Sequence, residues 1–193
     1  MATVLNHPLI THKLAIMRNK VTGHKDFREN LDEIASLMAY EVCRDLPTRD
    51  ITIETPVGVC QTQEIAKEVV LVPILRAGMG LINGILELIP TARVGFVGLY
   101  RSTKTLQPVE YFAKYPKGMD DSVVLVLDPM LATGNSLRDA IALYVSKGVP
   151  QKNICCVCMI SSPQGVEAVF NKFPEVKLIV AAVDSHLNER GYI

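Results

Sequence analysis

The stretch from residue 123 to residue 136 carries the clearest signal in this chain. It opens with five consecutive apolar residues, Val123–Leu127, and then changes to an acid, a proline, small residues and a glycine. A continuous apolar run is typical of a buried parallel strand, and open α/β sheets bind ligands at the carboxyl ends of such strands. Asp128 follows this strand directly. The sequence therefore predicts a ligand site at Asp128.

The residues after Asp128 favour an anion site at the start of a helix. Thr133, Gly134, Asn135 and Ser136 are small or polar, and the backbone N–H groups of a helix N-terminus attract anions. Asp128 itself suits ribose hydroxyls or a metal-bearing sugar, because a carboxylate repels a bare phosphate. The alternatives are an ordinary turn or cap at the Asp-Pro pair and a Thr-Gly turn with a simple N-cap. The preceding apolar strand favours a ligand site.

Composition limits the classes of protein to which the chain can belong. Its 193 residues suit one domain with a substantial core, and 49% of them are hydrophobic. Lysine and arginine total 20, as do aspartate and glutamate, so the formal net charge is zero. A nucleic-acid-binding protein driven by bulk electrostatics is therefore not expected.

The sequence shows no targeting or membrane-spanning segment. The N-terminus lacks a basic region followed by a long apolar core, and no stretch reaches the roughly 18 consecutive apolar residues of a membrane span.

Three of the five cysteines, Cys155, Cys156 and Cys158, lie in an apolar run. We interpret them as core residues rather than a metal or redox site, with Cys156 and Cys158 on one strand face and Cys155 on the other. Unpaired cysteines favour a cytoplasmic location.

Strand-like and helix-like segments alternate along the chain. This order predicts an α/β fold with a mainly parallel sheet flanked by helices, preceded by an N-terminal helical addition. The predicted helices cover residues 8–18, 26–44, 80–88, 136–147 and 163–173. The predicted strands cover 69–75, 93–100, 123–127, 154–160 and 178–183, with a hairpin around Thr55 and Pro56. Residues 101–117 interrupt the pattern, and 109–112 within them predict a β arm that serves catalysis, dimerisation or both.

Four segments, taken in order, resemble one enzyme family. They read VPILRAGMGL at 72–81, GLYRSTKTLQPVEYFAKYP at 98–116, DPMLATG at 128–134 and LNERGYI at 187–193. Together they resemble the type I phosphoribosyltransferases, in the version carried by the uracil-specific branch. The resemblance implies the type I phosphoribosyltransferase fold. It also implies transfer of a phosphoribosyl group from phosphoribosyl pyrophosphate (PRPP) to uracil, giving UMP and pyrophosphate in pyrimidine salvage.

Three residues are the expected catalytic groups. Asp128 would bind the ribose hydroxyls. Arg76 follows a second apolar strand, and its planar guanidinium can hold two pyrophosphate oxygens. A surface arginine paired with an acid is the alternative. By resemblance Arg101 also binds PRPP, and 102–105 would form a mobile flap in which Lys104 could assist. The expected PRPP-binding residues are Arg76, Arg101, Asp128, Pro129, Met130, Leu131, Ala132, Thr133, Gly134, Asn135 and Ser136.

The end of the chain resembles the start of the family's uracil site, so Ile193 is the expected uracil-binding residue. In relatives the chain continues into a glycine-rich, acidic segment, whereas this sequence stops at Ile193. We therefore expect a single domain over 1–193 that lacks this base-binding tail.

Further expectations concern cofactor and partners. The histidines are scattered, so no metal held by protein ligands is predicted, and Mg²⁺ would be carried by PRPP. The β arm suggests a homodimer or higher homo-oligomer, and by resemblance GTP is a possible activator. No membrane partner and no nucleic-acid partner are expected. Two alternatives stay open: a phosphoribosyltransferase for another base, and a PRPP- or nucleotide-sensing RNA-binding regulator on the same fold.

Overall fold

The computed structural model describes residues 1–101, 108–189 and 191–193, and it has an α/β architecture. The helices are α1 (Pro8–Arg18), α2 (His24–Val42), α3 (Ile82–Leu88), α4 (Asn135–Ser146) and α5 (Pro163–Lys172). The strands are β1 (Thr3–Val4), β2 (Thr48–Thr55), β3 (Gly58–Ile65), β4 (Val69–Leu75), β5 (Arg93–Val94), β6 (Phe96–Arg101), β7 (Pro108–Lys114), β8 (Val123–Leu127), β9 (Met130–Leu131), β10 (Ile154–Ser161) and β11 (Lys177–Val183).

The main sheet is mostly parallel. Its strands follow the order β1-β11-β10-β8-β4-β6-β7, with β5 paired to β4 and β9 paired to β10. Only the pairing of β6 with β7 is antiparallel within this sheet. Strands β2 and β3 form a separate antiparallel hairpin. The predicted hairpin and the predicted β arm, which is strand β7, are confirmed.

Helices cover both faces of the sheet and create two apolar cores. One core includes Ile10 of α1, Ile34 of α2 and Ile85 of α3. The other includes Ile141 of α4 and Val169 of α5. The sheet is buried on both sides, which explains why its central strands are continuous apolar runs. The prediction of a mainly parallel sheet flanked by helices is confirmed.

The three cysteines of β10 lie as their alternation predicted. Cys155 belongs to the first core, and Cys156 and Cys158 belong to the second. Burial raises the pKa of the Cys155 thiol to about 12, so this thiol is protonated at neutral pH and unreactive.

Local sequence signals account for several helix ends. His7 caps α1, since its Nδ1 atom accepts a hydrogen bond from the Leu9 N–H at 3.2 Å, and Pro8 occupies the first turn. The serine before Pro163 caps α5 in the same way. Gly148, with φ of +91°, follows α4 and ends it, as predicted.

Three predicted elements have other bounds in the structure, and two short strands were missed. The helix expected at 80–88 begins as a 3-10 turn, Ala77–Leu81, and is α-helical only from residue 82. The strand expected at 93–100 is interrupted at Gly95, whose N–H bonds the Leu71 carbonyl oxygen at 2.8 Å. The helix expected at 26–44 covers His24–Val42, and the short strands β1 and β9 were not predicted. Such two-residue strands are too short to show periodicity.

In the part of the chain that the structure describes, no helix is both long enough and apolar enough to cross a membrane.

Candidate active site

The sheet has a switch point between β4 and β8. These strands are parallel neighbours, with Pro73 opposite Leu127. The helix that follows β4 packs on one face of the sheet and the helix that follows β8 packs on the other. Such a change of direction opens a crevice at the carboxyl ends of the two strands, where ligands bind in open α/β sheets. Arg76 and Asp128 are the first residues after β4 and β8 respectively.

Asp128 lies half-buried at the bottom of this crevice. Its backbone N–H donates to the Val157 carbonyl oxygen at 3.2 Å, so the main chain is still held by β10. Loss of hydration raises the pKa of the carboxyl to about 7, and hydrogen bonding to the Met130 backbone opposes part of this rise. In the described residues, no cation lies within ion-pair distance of this carboxyl. Asp128 is therefore a partly buried acid that has no cationic partner among the side chains that the structure describes.

The segment after Asp128 forms a loop that leads into α4. Leu131 is buried in β9, whereas Thr133 and Ser136 are exposed. Gly134 has φ of +80° and occupies the N-cap of α4, where no side chain caps the helix. The first backbone N–H groups of this twelve-residue helix thus have no intrahelical acceptor and no side-chain cap. This arrangement favours binding of an anion.

Arg76 lies on the opposite side of the crevice and is exposed. Among the described residues, no acid lies within ion-pair distance of its guanidinium, which disfavours the alternative of a surface ion pair. The peptide bond between Leu75 and Arg76 is cis. Gly78, two residues later, is buried so closely that a β-carbon there would collide with the Leu127 carbonyl oxygen. This contact brings the Arg76 loop against the residue that precedes Asp128.

Arg101 ends β6, the next strand along the same edge. The pairing of β6 with β4 places Gly98 opposite Leu75. Arg101, the last residue of β6, and Arg76, the first residue after β4, therefore lie at neighbouring strand ends. The predicted flap at 102–105, with Lys104, lies outside the described residues, as does the Arg101 side chain.

The end of the chain approaches the loop that leads into α4, through Gly191 and Thr133. Asn188 organises this segment: its Oδ1 accepts from the Tyr192 N–H at 3.0 Å, and its backbone N–H donates to the Tyr192 carbonyl oxygen at 2.8 Å. A β-carbon at Gly191 would lie 3.5 Å from the Thr133 Cγ2 atom. Ile193 is half-buried against the first core. The structure thus brings the fourth motif to the third.

Known proteins allow a direct comparison. Residues 4–193 match the family model for uracil phosphoribosyltransferase. A relative of that name from Bacillus cereus (strain B4264) is 53% identical over 191 residues, which cover 98% of this chain and 90% of the relative. A relative of the same name from Bacillus anthracis (strain CDC 684 / NRRL 3495) has the same identity and coverage. The chain belongs to the uracil phosphoribosyltransferase family.

Solved structures confirm the fold of this family member. A protein from Aquifex aeolicus superposes with a TM-score of 0.93 at 34% identity, over 100% of this chain and 92% of that one. A hypoxanthine phosphoribosyltransferase from Staphylococcus aureus superposes with a TM-score of 0.54 at 15% identity, over 83% and 76% of the two chains. The second likeness shows the fold alone. The chain has the type I phosphoribosyltransferase fold, and as a member of the family it is an enzyme.

The sequence did not reveal three structural contacts near the site. They are the approach of Gly78 to the Leu127 carbonyl oxygen, the hydrogen bonds of Ser162, before α5, to the loop after Asp128, and the ion pair of Arg18 with Asp184. Each contact joins residues that are distant in sequence, although the Ser-Pro pair at 162–163 is a recognisable helix start. The described residues contain no group of three or more His, Cys, Asp or Glu side chains that could hold a metal ion.

A cavity of about 340 Å³ lies at the opposite, amino-terminal edge of the sheet. Lys67, Lys152 and Lys177 are among its lining residues. None of the four motifs reaches it. The candidate active site is therefore the crevice at the carboxyl edge, where the motifs converge.

Proposed function

We propose that this family member transfers the phosphoribosyl group of PRPP to uracil, giving UMP and pyrophosphate, and that the crevice between β4 and β8 is where it does so. The observation that carries the location is the switch point. It sets Asp128 beside an uncapped helix N-terminus and across from Arg76, which is exposed. PRPP offers a matching set of groups, namely ribose hydroxyls, a 5-phosphate and a pyrophosphate.

Each part of PRPP then has a binding group in this chain. The 5-phosphate binds the loop of Ala132, Thr133, Gly134, Asn135 and Ser136, which presents hydroxyls and free N–H groups. The ribose hydroxyls bind Asp128, and Pro129, Met130 and Leu131 connect the two parts of the site. Arg76 and Arg101 bind the pyrophosphate. Uracil binds next to Ile193, since the terminal segment approaches Thr133.

The charges of these groups suit the reaction. The bond between the anomeric carbon and the pyrophosphate oxygen breaks, the bonding pair leaves with pyrophosphate, and the uracil nitrogen, on losing its proton, forms the new bond to that carbon. Positive charge develops on the ribose and negative charge on the leaving group. A carboxylate at the sugar and guanidinium groups at the pyrophosphate stabilise this transition state more than the ground state.

Mg²⁺ fits the site as an ion that arrives with PRPP. The described residues hold no cluster of metal ligands, whereas Asp128 is an oxygen donor without a cationic partner. A hard ion of this kind binds phosphate oxygens and one or two carboxylates. When bound, it neutralises charge on the departing pyrophosphate.

The test is a synthesis assay. The purified chain is incubated with PRPP, Mg²⁺ and uracil, and UMP and pyrophosphate are measured separately. We expect equal amounts of both products, with hypoxanthine and cytosine inactive as bases. Synthesis from another base in preference to uracil would replace the substrate assignment, and an absence of pyrophosphate release with every base would reject the reaction.

Assembly, activation and location are further parts of the proposal. A homodimer or higher homo-oligomer is supported by exposed apolar side chains on two candidate contacts, namely β7, with Tyr111 and Phe112, and the hairpin of β2 and β3, with Val57 and Val59. Activation by GTP is supported by the resemblance alone and is tested by adding GTP to the assay. A cytoplasmic location is supported by the five unpaired cysteines.

A further inference from the structure

The first turn of α5 supports the loop assigned above to the 5-phosphate. Ser162 is fully buried, and its hydroxyl donates to the Ala132 carbonyl oxygen at 2.6 Å. The same hydroxyl accepts from the Gly165 N–H at 2.9 Å. The Ser162 backbone N–H donates to the Leu131 carbonyl oxygen at 3.0 Å. One residue thus connects two consecutive loop carbonyls to the start of a helix.

Gly165 allows the loop and the helix to touch through their backbones. A β-carbon at this position would collide with the carbonyl oxygens of Leu131 and Ala132. On the other side of the contact, a β-carbon at Gly134 would lie 3.0 Å from the Gly165 carbonyl oxygen. Any side chain at residue 165 must therefore displace the loop, because the opposing atoms belong to the main chain and cannot rotate away.

This contact determines which way a loop amide points. The Ala132 carbonyl is directed at α5 by its bond to Ser162. In a trans peptide the C=O and the next N–H point in opposite directions. The Thr133 N–H is therefore directed away from α5, to the side where Thr133 is exposed. A reversed peptide would present a carbonyl oxygen there instead and would repel an anion.

We propose that the first turn of α5, residues 162–165, is a positioning element for the 5-phosphate of PRPP and UMP. Neither Ser162 nor Gly165 touches the ligand. They hold the Ala132–Thr133 peptide in the orientation that offers its N–H to the phosphate. The inference rests on the proposed function, which assigns this loop to the 5-phosphate. It predicts that this turn affects binding of the 5-phosphate and leaves binding of pyrophosphate at Arg76 unchanged.

The experiment compares two probes by calorimetry. UMP carries the 5-phosphate, and inorganic pyrophosphate with Mg²⁺ represents the leaving group. The variants are Gly165→Ala, which displaces the loop, and Ser162→Ala, which removes two side-chain hydrogen bonds, one of them to the loop. Each has a matched control. Ser161→Ala removes an equally buried hydroxyl that bonds the Ala182 carbonyl oxygen of β11 at 3.3 Å rather than a loop carbonyl. It leaves the backbone pairing of Ser161 with Leu131 in place. Gly84→Ala forces a similar collision between α3 and α2.

We expect Gly165→Ala to weaken UMP binding about tenfold or more, because small displacements of binding groups have large effects. Ser162→Ala should weaken it about threefold, because only one of the two neutral hydrogen bonds that it removes reaches the loop, at the Ala132 carbonyl oxygen. Pyrophosphate affinity should stay unchanged in both variants, and both affinities should stay unchanged in both controls.

The outcomes separate the inference from the function on which it rests. Unchanged UMP affinity in a folded Gly165→Ala variant would overturn the inference while leaving the proposed function intact. So would equal losses for UMP and pyrophosphate. If Gly165→Ala does not fold, Ser162→Ala decides, and wild-type UMP affinity in that variant would overturn the inference. A wild-type chain that binds no UMP would contradict the proposed function itself.

Discussion

Asp128 combines its proposed role in binding the ribose with a cost in stability. Burial raises the pKa of its carboxyl to about 7, so folding disfavours the ionised form. Between the ordinary carboxyl pKa and this value, the folded state binds a proton that the unfolded state has lost. Stability contributed by Asp128 is therefore greatest at low pH and falls as the pH rises toward 7. A carboxylate retained under this penalty fits a group that is kept for chemistry.

Asp128→Asn should lower activity and raise stability. Loss of the charge that opposes the developing ribose cation should reduce kcat about 10²- to 10³-fold. At pH 8 the free energy of unfolding of the variant should exceed that of wild type by about 1–3 kcal/mol. This gain should shrink at pH 5, where wild-type Asp128 is protonated. Steady-state kinetics and thermal melts at both pH values measure the two effects. Asp120→Asn, at an exposed acid outside the crevice, is the control. Wild-type turnover in Asp128→Asn would remove this residue from the mechanism.

Arg76→Lys should retain the positive charge and still impair PRPP binding. An ammonium cannot form the two parallel hydrogen bonds of a guanidinium, and charge-assisted bonds contribute about 1.5–3 kcal/mol each. We expect KM for PRPP to rise roughly tenfold or more, with little change in melting temperature because Arg76 is exposed. Arg49→Lys, at an exposed arginine of the hairpin, should leave KM unchanged. If Arg76→Lys behaves as wild type, only the charge matters at this position.

At the scale of elements, an ion pair connects the N-terminal helix to the strand that precedes the terminal segment. The guanidinium of Arg18, at the end of α1, donates to both carboxylate oxygens of Asp184, at 2.6 and 2.9 Å. The Asp184 N–H also donates to the Ser161 carbonyl oxygen at 2.8 Å, which continues the pairing of β10 with β11. The ion pair thus connects the end of α1 to the residue that follows β11.

Asp184→Asn should destabilise the protein in a pH-dependent way. The side-chain hydrogen bond from Arg18 lowers the pKa of Asp184, so its stabilisation is present above the ordinary carboxyl pKa and is lost as the pH falls through the lowered value. Since both side chains are partly exposed, we expect about 0.5–1 kcal/mol at pH 7. Urea unfolding at pH 7 and at about pH 3 measures the change. Glu29→Gln, which breaks an exposed pair with Lys25 in α2, should change nothing. A loss that persists in acid would show that charge is not the cause.

The elements that the sequence predicted best are the buried strands, because each of them is a continuous run of apolar residues. Five apolar residues followed by Asp128 identify a central strand and predict a ligand site at its end. The 3-10 turn after Arg76 has no such signal, because it depends on the approach of Gly78 to the Leu127 carbonyl oxygen. The support that Gly165 gives to the loop is invisible for the same reason. In each case the partner is distant in sequence, so spacing alone cannot reveal the contact.

At the scale of the whole molecule, the hairpin of β2 and β3 differs from the main sheet. Most residues of both strands are exposed, among them Val59 and Ile65 of β3, and Val57 in the turn between the strands is exposed as well. An isolated two-stranded hairpin is marginally stable in water. An ordered hairpin with exposed apolar side chains is therefore expected to be covered by another molecule.

We expect the protein to be a homo-oligomer that buries this hairpin. Val59→Lys would place a charge in the contact and should shift the mass measured by light scattering toward the monomer. Lys114→Glu, on β7, tests the other candidate arm and should leave the mass unchanged if the hairpin is the contact. A wild-type protein that is monomeric at micromolar concentration would contradict this expectation.

The half-buried carboxyl of Asp128 also has a consequence for the heat of ligand binding. With its pKa raised to about 7, this carboxyl is partly protonated at neutral pH when no ligand is bound. A sugar with its attendant cation binds the ionised form, so that proton must leave for the solvent as the complex forms. The enthalpy measured for PRPP should accordingly vary with the ionisation enthalpy of the buffer. It should vary less at pH 8.5, where the site is already deprotonated. Protons and substrate therefore compete for the carboxylate of Asp128 at the end of β8.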